Sequence, residues 1–155
     1  IENNQYGMGT ALDRASAIHD ISQRGAAYGI AHGVCDGQDV LAVRATMQEA
    51  VARARSESHP TLLEVRTYRF VGHSMSDAAS GTYRTKAELE EWQARDPIVL
   101  MRARMTGSSE LSDDQYARLD DELRAIVQDA WDFADKSPEP PIEALFEHVL
   151  ADTTS

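Results

Sequence analysis

Glu2-Asn3-Asn4-Gln5-Tyr6-Gly7-Met8-Gly9 sets amide side chains beside an aromatic residue and two glycines. An Asn side-chain carbonyl and a backbone carbonyl are neutral oxygen donors, and a hard cation such as magnesium takes oxygen ligands in an octahedron. The same run also reads as a plain turn, because Asn is a common turn former and glycine reaches positive φ without cost. Residue types alone leave both readings open. A second stretch is Thr67-Tyr68-Arg69-Phe70-Val71-Gly72-His73-Ser74-Met75-Ser76-Asp77, closing with Thr82-Tyr83-Arg84-Thr85. The Arg69 guanidinium matches phosphate oxygens in charge and in fork geometry. The His73 imidazole can donate to a phosphate. An isolated loop histidine is more often simply solvated, so His73 needs its context to mean more. His19, His32, His59 and His148 have no such context and no metal-ligand spacing with Cys35.

The elements around these stretches are readable from pattern. Asp39 suits the N-cap of a helix running to about Ser58, with Val40, Val43, Met47, Val51 and Ala54 on one stripe. Pro60 lies past its end. Thr61 to Tyr68 has the apolar and β-branched content of a buried strand. Asp36-Gly37 reads as a strand-to-helix turn, and strand, helix, strand in that order predicts a parallel sheet with the helix as crossover. The second stretch then starts at a strand's carboxyl end, where open α/β sheets bind ligands.

Beyond residue 84 the chain reads as helices. Thr85 and Glu88 have capping-box spacing ahead of Leu89 and Trp92. Asp96-Pro97 starts a helix ending near Gly107. Ser112 and Gln115 cap a third helix whose stripe is Tyr116, Leu119, Leu123, Ile126, Ala130 and Phe133, a narrow seam for another helix or subunit. Pro138, Pro140 and Pro141 break it, and a last helix is predicted over 142–150. Trp92 and Trp131 read as packing anchors rather than ligand stackers.

With 155 residues, 42% of them hydrophobic, the chain is long enough for a domain with its own core. The net charge of -11 argues against binding nucleic-acid phosphates. No run approaches the roughly 20 apolar residues of a membrane span. One cysteine precludes an internal disulfide and fits a reducing compartment.

Read together and in order, the two stretches resemble the alpha subunits of the thiamine-dependent 2-oxo acid dehydrogenases. Gly72-His73-Ser74-Met75-Ser76-Asp77 is similar to the pyruvate branch of that family. The resemblance runs from Ile1 to about Leu150 and takes in Asp96-Pro97 and Pro138-Glu139-Pro140-Pro141. It implies the C-terminal half of a thiamine-diphosphate-binding α/β fold with a parallel sheet, followed by a helical C-terminal region. The boundary is expected at residues 84 and 85, with an active-site loop over 69–84.

The same resemblance implies the chemistry. Magnesium is expected to take the side-chain oxygen of Asn4 and the backbone oxygen of Tyr6. Arg69 and His73 are expected against the thiamine diphosphate, His73 with a catalytic role. The family's remaining metal ligand is an aspartate in a Gly-Asp-Gly sequence that this chain does not contain; Asp36-Gly37 follows the asparagines and does not substitute. Ser74 matches a serine that is phosphorylated for regulation in mitochondrial relatives, and Ser80 lies near a second such site. An unmodified loop is the favoured reading here. The implied reaction decarboxylates pyruvate and reductively acetylates a lipoyl group. The implied partners are a beta subunit, in an alpha2-beta2 heterotetramer, and the lipoyl domain of the dihydrolipoyl transacylase. Two alternatives remain: a sister enzyme for branched-chain 2-oxo acids or acetoin, and a non-catalytic helical interaction module. Met75 favours pyruvate over the sister enzymes.

Overall fold

The computed structural model describes residues 1–75, 77 and 83–149. Ser76, Ser80, Thr82 and Leu150 lie outside the described residues. The chain divides into two compact units, Ile1–Glu110 and Leu111–Ser155.

The first unit is built on a parallel three-stranded sheet in the order β1-β5-β4, with β1 at Glu2–Asn3, β4 at Ala31–Asp36 and β5 at Thr61–Arg66. Strands β2 (Tyr6–Gly7) and β3 (Thr10–Ala11) form a separate antiparallel hairpin, and a short helix α1 (Leu12–Ala15) follows it. A 3-10 helix spans Ile21–Tyr28, opened by Asp20, whose side chain accepts from Ser22 N, and closed by Gly29 at φ 67. Helix α2 (Val40–Glu57) carries the chain from β4 to the adjacent parallel strand β5, as the strand, helix, strand pattern predicts. Its N-cap is Asp39, whose carboxylate accepts from Leu41 N and Ala42 N.

Two local expectations shift. Val40, Met47 and Val51 of the predicted α2 stripe are exposed. The less exposed face carries Val43 of that stripe together with Leu41, Ala42, Thr46, Ala50 and Arg53. Strand β5 ends at Arg66 rather than Tyr68, although Thr67 N still bonds Asn3 O at 2.9 Å.

Gly37 makes the turn out of β4 possible. Its N–H bonds Arg66 O at 2.7 Å, and a Cβ there would lie 2.6 Å from that same oxygen and 2.5 Å from Thr67 Cγ2. A side chain would push the turn off the end of β5.

Helices α3 (Lys86–Gln93) and α4 (Pro97–Gly107) complete this unit. Asp96 caps α4 with Pro97 in its first turn, as expected. Thr85 caps α3 through Glu88 N, but only half of the expected capping box forms. The Glu88 carboxylate accepts instead from two tyrosine hydroxyls, which are better donors in a half-buried site than a solvated backbone N–H.

The second unit is dominated by α5 (Asp113–Lys136), where the Ser112–Gln115 capping box is complete. Acidic residues fill its first turn, where the helix dipole favours them. Pairs four apart, Asp120–Arg124 at 2.7 Å and Asp132–Lys136 at 3.0 Å, lace its polar side. Leu119, Leu123, Ile126, Trp131 and Phe133 are exposed, so the predicted seam and the Trp131 anchor find no cover within this unit's described residues. Past the prolines, the described residues form a 3-10 turn at Ile142–Phe146 in place of the helix predicted over 142–150, and it has no side-chain cap. Among the described residues, no helix is long and apolar enough to cross a membrane.

Candidate functional site

Register decides where the two chemical stretches lie. Asn3 pairs with Arg66, and Arg66 pairs with Asp36, so β1, β5 and β4 end together. Asn4 and Thr67 therefore leave neighbouring parallel strands at one carboxyl edge, the edge at which such sheets bind ligands.

The first stretch folds as two overlapping turns built on its asparagines. Asn3 Oδ1 accepts from Gln5 N at 3.1 Å, and Asn4 Oδ1 accepts from Tyr6 N at 3.0 Å. Between them Gln5 sits at φ 73. A non-glycine residue there costs on the order of 1–2 kcal/mol, so the surrounding bonds must hold it. Gln5 Nε2 donates to Asn3 O at 3.4 Å, and Gln5 O accepts from Leu12 N at 2.9 Å. An open groove of about 430 Å³ runs over this turn, lined in part by Asn3, Asn4, Gln5, Tyr6 and Ile21.

As a metal site the turn fits in part. The Asn4 carbonyl oxygen has two lone pairs and spends one on Tyr6 N. Asn4 Oδ1 and the Tyr6 carbonyl are the neutral hard donors that magnesium accepts. Among the described residues, no group of three or more His, Cys, Asp and Glu side chains forms a ligand cluster. These two oxygens are fewer than the six an octahedral cation takes.

An aromatic cluster joins the turn to the second stretch. Tyr6 and Tyr68 donate their hydroxyls to the same oxygen of Glu88, at 2.8 and 2.9 Å. Burial and then the adjacent Glu88 carboxylate push the Tyr68 phenol up to about 12 and that of Tyr6 higher still. Trp92 of α3 stacks on Tyr68 at 5.1 Å, which makes it the packing anchor that was expected. The Tyr6 ring also meets the Tyr83 ring at 5.4 Å.

From Tyr83 the contacts run into the loop. Tyr83 OH donates to Asp77 Oδ2 at 2.8 Å, and His73 N donates to the same oxygen at 3.0 Å. These two donors hold the Asp77 carboxyl below its ordinary range. The Arg69 guanidinium lies 2.7 Å from His73 Nδ1, which accepts in the neutral ring. Arg84 is buried and donates to the backbone carbonyls of Arg69 and Val71, closing the loop's two ends. Its guanidinium lies over the rings of Tyr68 and Tyr83. Ser74 is exposed, and its carbonyl accepts from Asp77 N at 3.0 Å. The described residues thus bring Asn4, Tyr6, Arg69, His73 and Ser74 into one connected neighbourhood. His19, His32, His59 and His148 are all exposed elsewhere on the surface.

Sequence reasoning missed Glu64 and Arg84. Glu64, at the middle of β5, is 0% exposed. It accepts from Asn3 Nδ2 at 2.7 Å, Arg66 Nε at 3.0 Å, Ile21 N at 2.8 Å and Ser22 N at 3.3 Å. Burial alone would raise its pKa, but these donors outweigh it and hold the carboxyl below its usual range. The available signal was a lone carboxylate inside the apolar run Leu62-Leu63-Glu64-Val65.

A parallel α/β sheet with polar turns gathered at its carboxyl edge has the arrangement at which open sheets bind ligands. Comparison with known proteins makes this specific: the model of the dehydrogenase E1 component family matches residues 1–143, and the chain belongs to that family. It is 46% identical over 151 residues to the pyruvate dehydrogenase E1 component subunit alpha of Rhizobium meliloti (strain 1021), covering 97% of this chain and 43% of that protein. It is 43% identical over 152 residues to the mitochondrial subunit alpha of Sminthopsis macroura, covering 97% of this chain and 41% of the relative. The somatic mitochondrial form of Homo sapiens matches at 43% over 152 residues, 97% of this chain and 38% of that protein. The chain spans about two fifths of the length of these relatives.

Proposed function

We propose that this chain is the diphosphate-holding part of a pyruvate dehydrogenase alpha subunit. The carrying observation is the strand register that sets the Asn3-Asn4 turn and the Arg69–His73 loop at one carboxyl edge. Family membership and the names of its relatives support the same reading. The sheet then belongs to a thiamine-diphosphate-binding fold, and the helices after residue 84 form its helical C-terminal region.

In this reading Asn4 Oδ1 and the Tyr6 carbonyl hold magnesium. Arg69 and His73 would donate to diphosphate oxygens. Asp77, itself held by Tyr83, accepts from the His73 backbone, and Arg84 keeps the loop ends closed. Thiamine diphosphate, when bound, supplies the carbanion chemistry that decarboxylates a 2-oxo acid. The substrate is pyruvate and the acyl acceptor is the lipoyl domain of the dihydrolipoyl transacylase. A beta subunit, in an alpha2-beta2 heterotetramer, completes the site. The single buried Cys35 suits a reducing compartment, a bacterial cytoplasm in the first instance.

The test pairs turnover with binding, in the full-length alpha chain assembled with its beta partner. Pyruvate should be turned over in preference to 2-oxoisovalerate and acetoin. Asn4→Ala should weaken magnesium-dependent cofactor binding by about tenfold or more, the scale set by lost metal-site partners. A complex that prefers either alternative substrate belongs to a sister enzyme. Unchanged cofactor affinity in the Asn4 variant would reduce the asparagine pair to a turn.

A further inference from the structure

We propose that Glu64 is a positioning residue for the magnesium-holding turn, acting through Asn3; the inference rests on the reading of Asn4 and Tyr6 given above. Glu64 is fully buried on the central strand. An ionised carboxylate only accepts, and each of its four neighbours there is an N–H donor. It therefore dictates which way the Asn3 amide faces. With Nδ2 held at 2.7 Å by Glu64, Asn3 Oδ1 is left to accept from Gln5 N at 3.1 Å. That bond helps hold Gln5 at φ 73, and Gln5 is the residue between the two oxygen donors Asn4 and Tyr6. Turning the amide over would set Asn3 Oδ1 against the carboxylate and Nδ2 against the Gln5 N–H. Both contacts are repulsive, so the carboxylate and the turn share one conformation.

A role confined to packing predicts something different from a role in orientation. Glu64→Gln keeps the shape but mixes donor and acceptor. Its amide nitrogen must face either Asn3 Nδ2 or the N–H groups of Ile21 and Ser22. Asn3→Asp sets two carboxylates face to face. Combining both substitutions restores the match. The new amide nitrogen donates to the new carboxylate, the amide oxygen accepts from Ile21 N, and the other carboxylate oxygen still accepts from Gln5 N. The Arg66 side chain is 43% exposed and is free to turn toward the new carboxylate or to water.

The experiment titrates magnesium into the full-length alpha-beta complex at fixed thiamine diphosphate, following cofactor binding, with a thermal melt of each variant alongside. Each single variant should lose magnesium affinity by about tenfold or more, and the double variant should return to within about threefold of the parent. Wild-type magnesium affinity in Glu64→Gln overturns the proposal. So does a double variant that melts like the parent but stays weak for magnesium. If Glu64→Gln fails to assemble, Asn3→Ala carries the test, because it cuts the link to Gln5 and leaves Glu64 three donors. Unchanged affinity there overturns the proposal equally. Asn4→Ala is measured in parallel: if it has no effect, the metal reading itself fails, whereas an effect at Asn4 with none at Glu64 removes only the positioning role.

Discussion

Asn3 lies directly across from Arg66 on neighbouring parallel strands, and that one pairing aligns the exits of both chemical stretches. The Asn3 carbonyl accepts from Thr67 N at 2.9 Å, so the ladder continues one residue past the end of the pairing. A slip of one residue would reverse the face of every side chain on β1 and take Asn3 away from Glu64. Backbone register thus aligns the exits of the two stretches.

Arg84 should govern how firmly the loop is closed. It is 3% exposed and its guanidinium reaches the carbonyls of both Arg69 and Val71. Arg84→Ala removes two charge-assisted hydrogen bonds and should destabilise the fold by on the order of 3 kcal/mol. Arg84→Lys keeps the charge but cannot fork across two carbonyls, so it should recover only part of the loss. Limited trypsin digestion of the full complex reads this out as faster cleavage at Arg69. Parent-like cleavage in both variants would show that Arg84 does not hold the loop.

Glu88 should add to what burial does in raising the phenols of Tyr6 and Tyr68. Burial comes first and the Glu88 carboxylate second in raising the phenols of Tyr6 and Tyr68, the latter to about 12. Both exceed the ordinary phenol value near 10. A raised phenol favours the neutral folded form. Its contribution to stability is therefore complete below about pH 10 and is lost as pH rises through about 12. Glu88→Gln removes the charge and should lower both values toward the ordinary one. Phenolate absorbance titration of the folded protein measures this. A parent protein whose tyrosines all ionise together near the ordinary value would refute the shared-carboxylate picture.

What the sequence disclosed was mostly local. The caps at Asp39, Asp96 and Ser112 were legible because a cap and its helix lie within four residues. The parallel crossover was legible because β4, α2 and β5 follow one another directly. The Glu64 network was not, because its partners Asn3, Ile21 and Ser22 stand 61, 43 and 42 residues away. The face of α2 was misread for another reason. Its pattern was weighed by apolar size, whereas Ala42, Thr46 and Ala50 are less exposed than Val40, Met47 and Val51. The half-formed cap at Glu88 failed because Tyr6, 82 residues distant, competes for the same carboxylate.

Ser74 should separate charge from size at the loop. It is exposed, next to His73, whose ring lies 2.7 Å from the Arg69 guanidinium. In the proposed site the Arg69 guanidinium and the His73 ring face the diphosphate. Ser74→Glu places a carboxylate where it can engage Arg69 and His73 and repel phosphate oxygens. Activity should fall sharply, by about tenfold or more, the scale of about 1.4 kcal/mol of lost interaction. A phosphate at the same position, with about -1.5 to -2 charges, should act more strongly. Ser74→Ala removes only a small hydroxyl and should leave most of the activity. Turnover of the full complex with pyruvate at saturating thiamine diphosphate and magnesium decides between them. The sign of the pair matters more than its size: loss with the carboxylate and retention with alanine means that charge at this position opposes the diphosphate. Equal loss in both would instead make the hydroxyl itself necessary. Full activity in the glutamate variant would set Ser74 apart from the diphosphate and remove the reason for placing His73 against it.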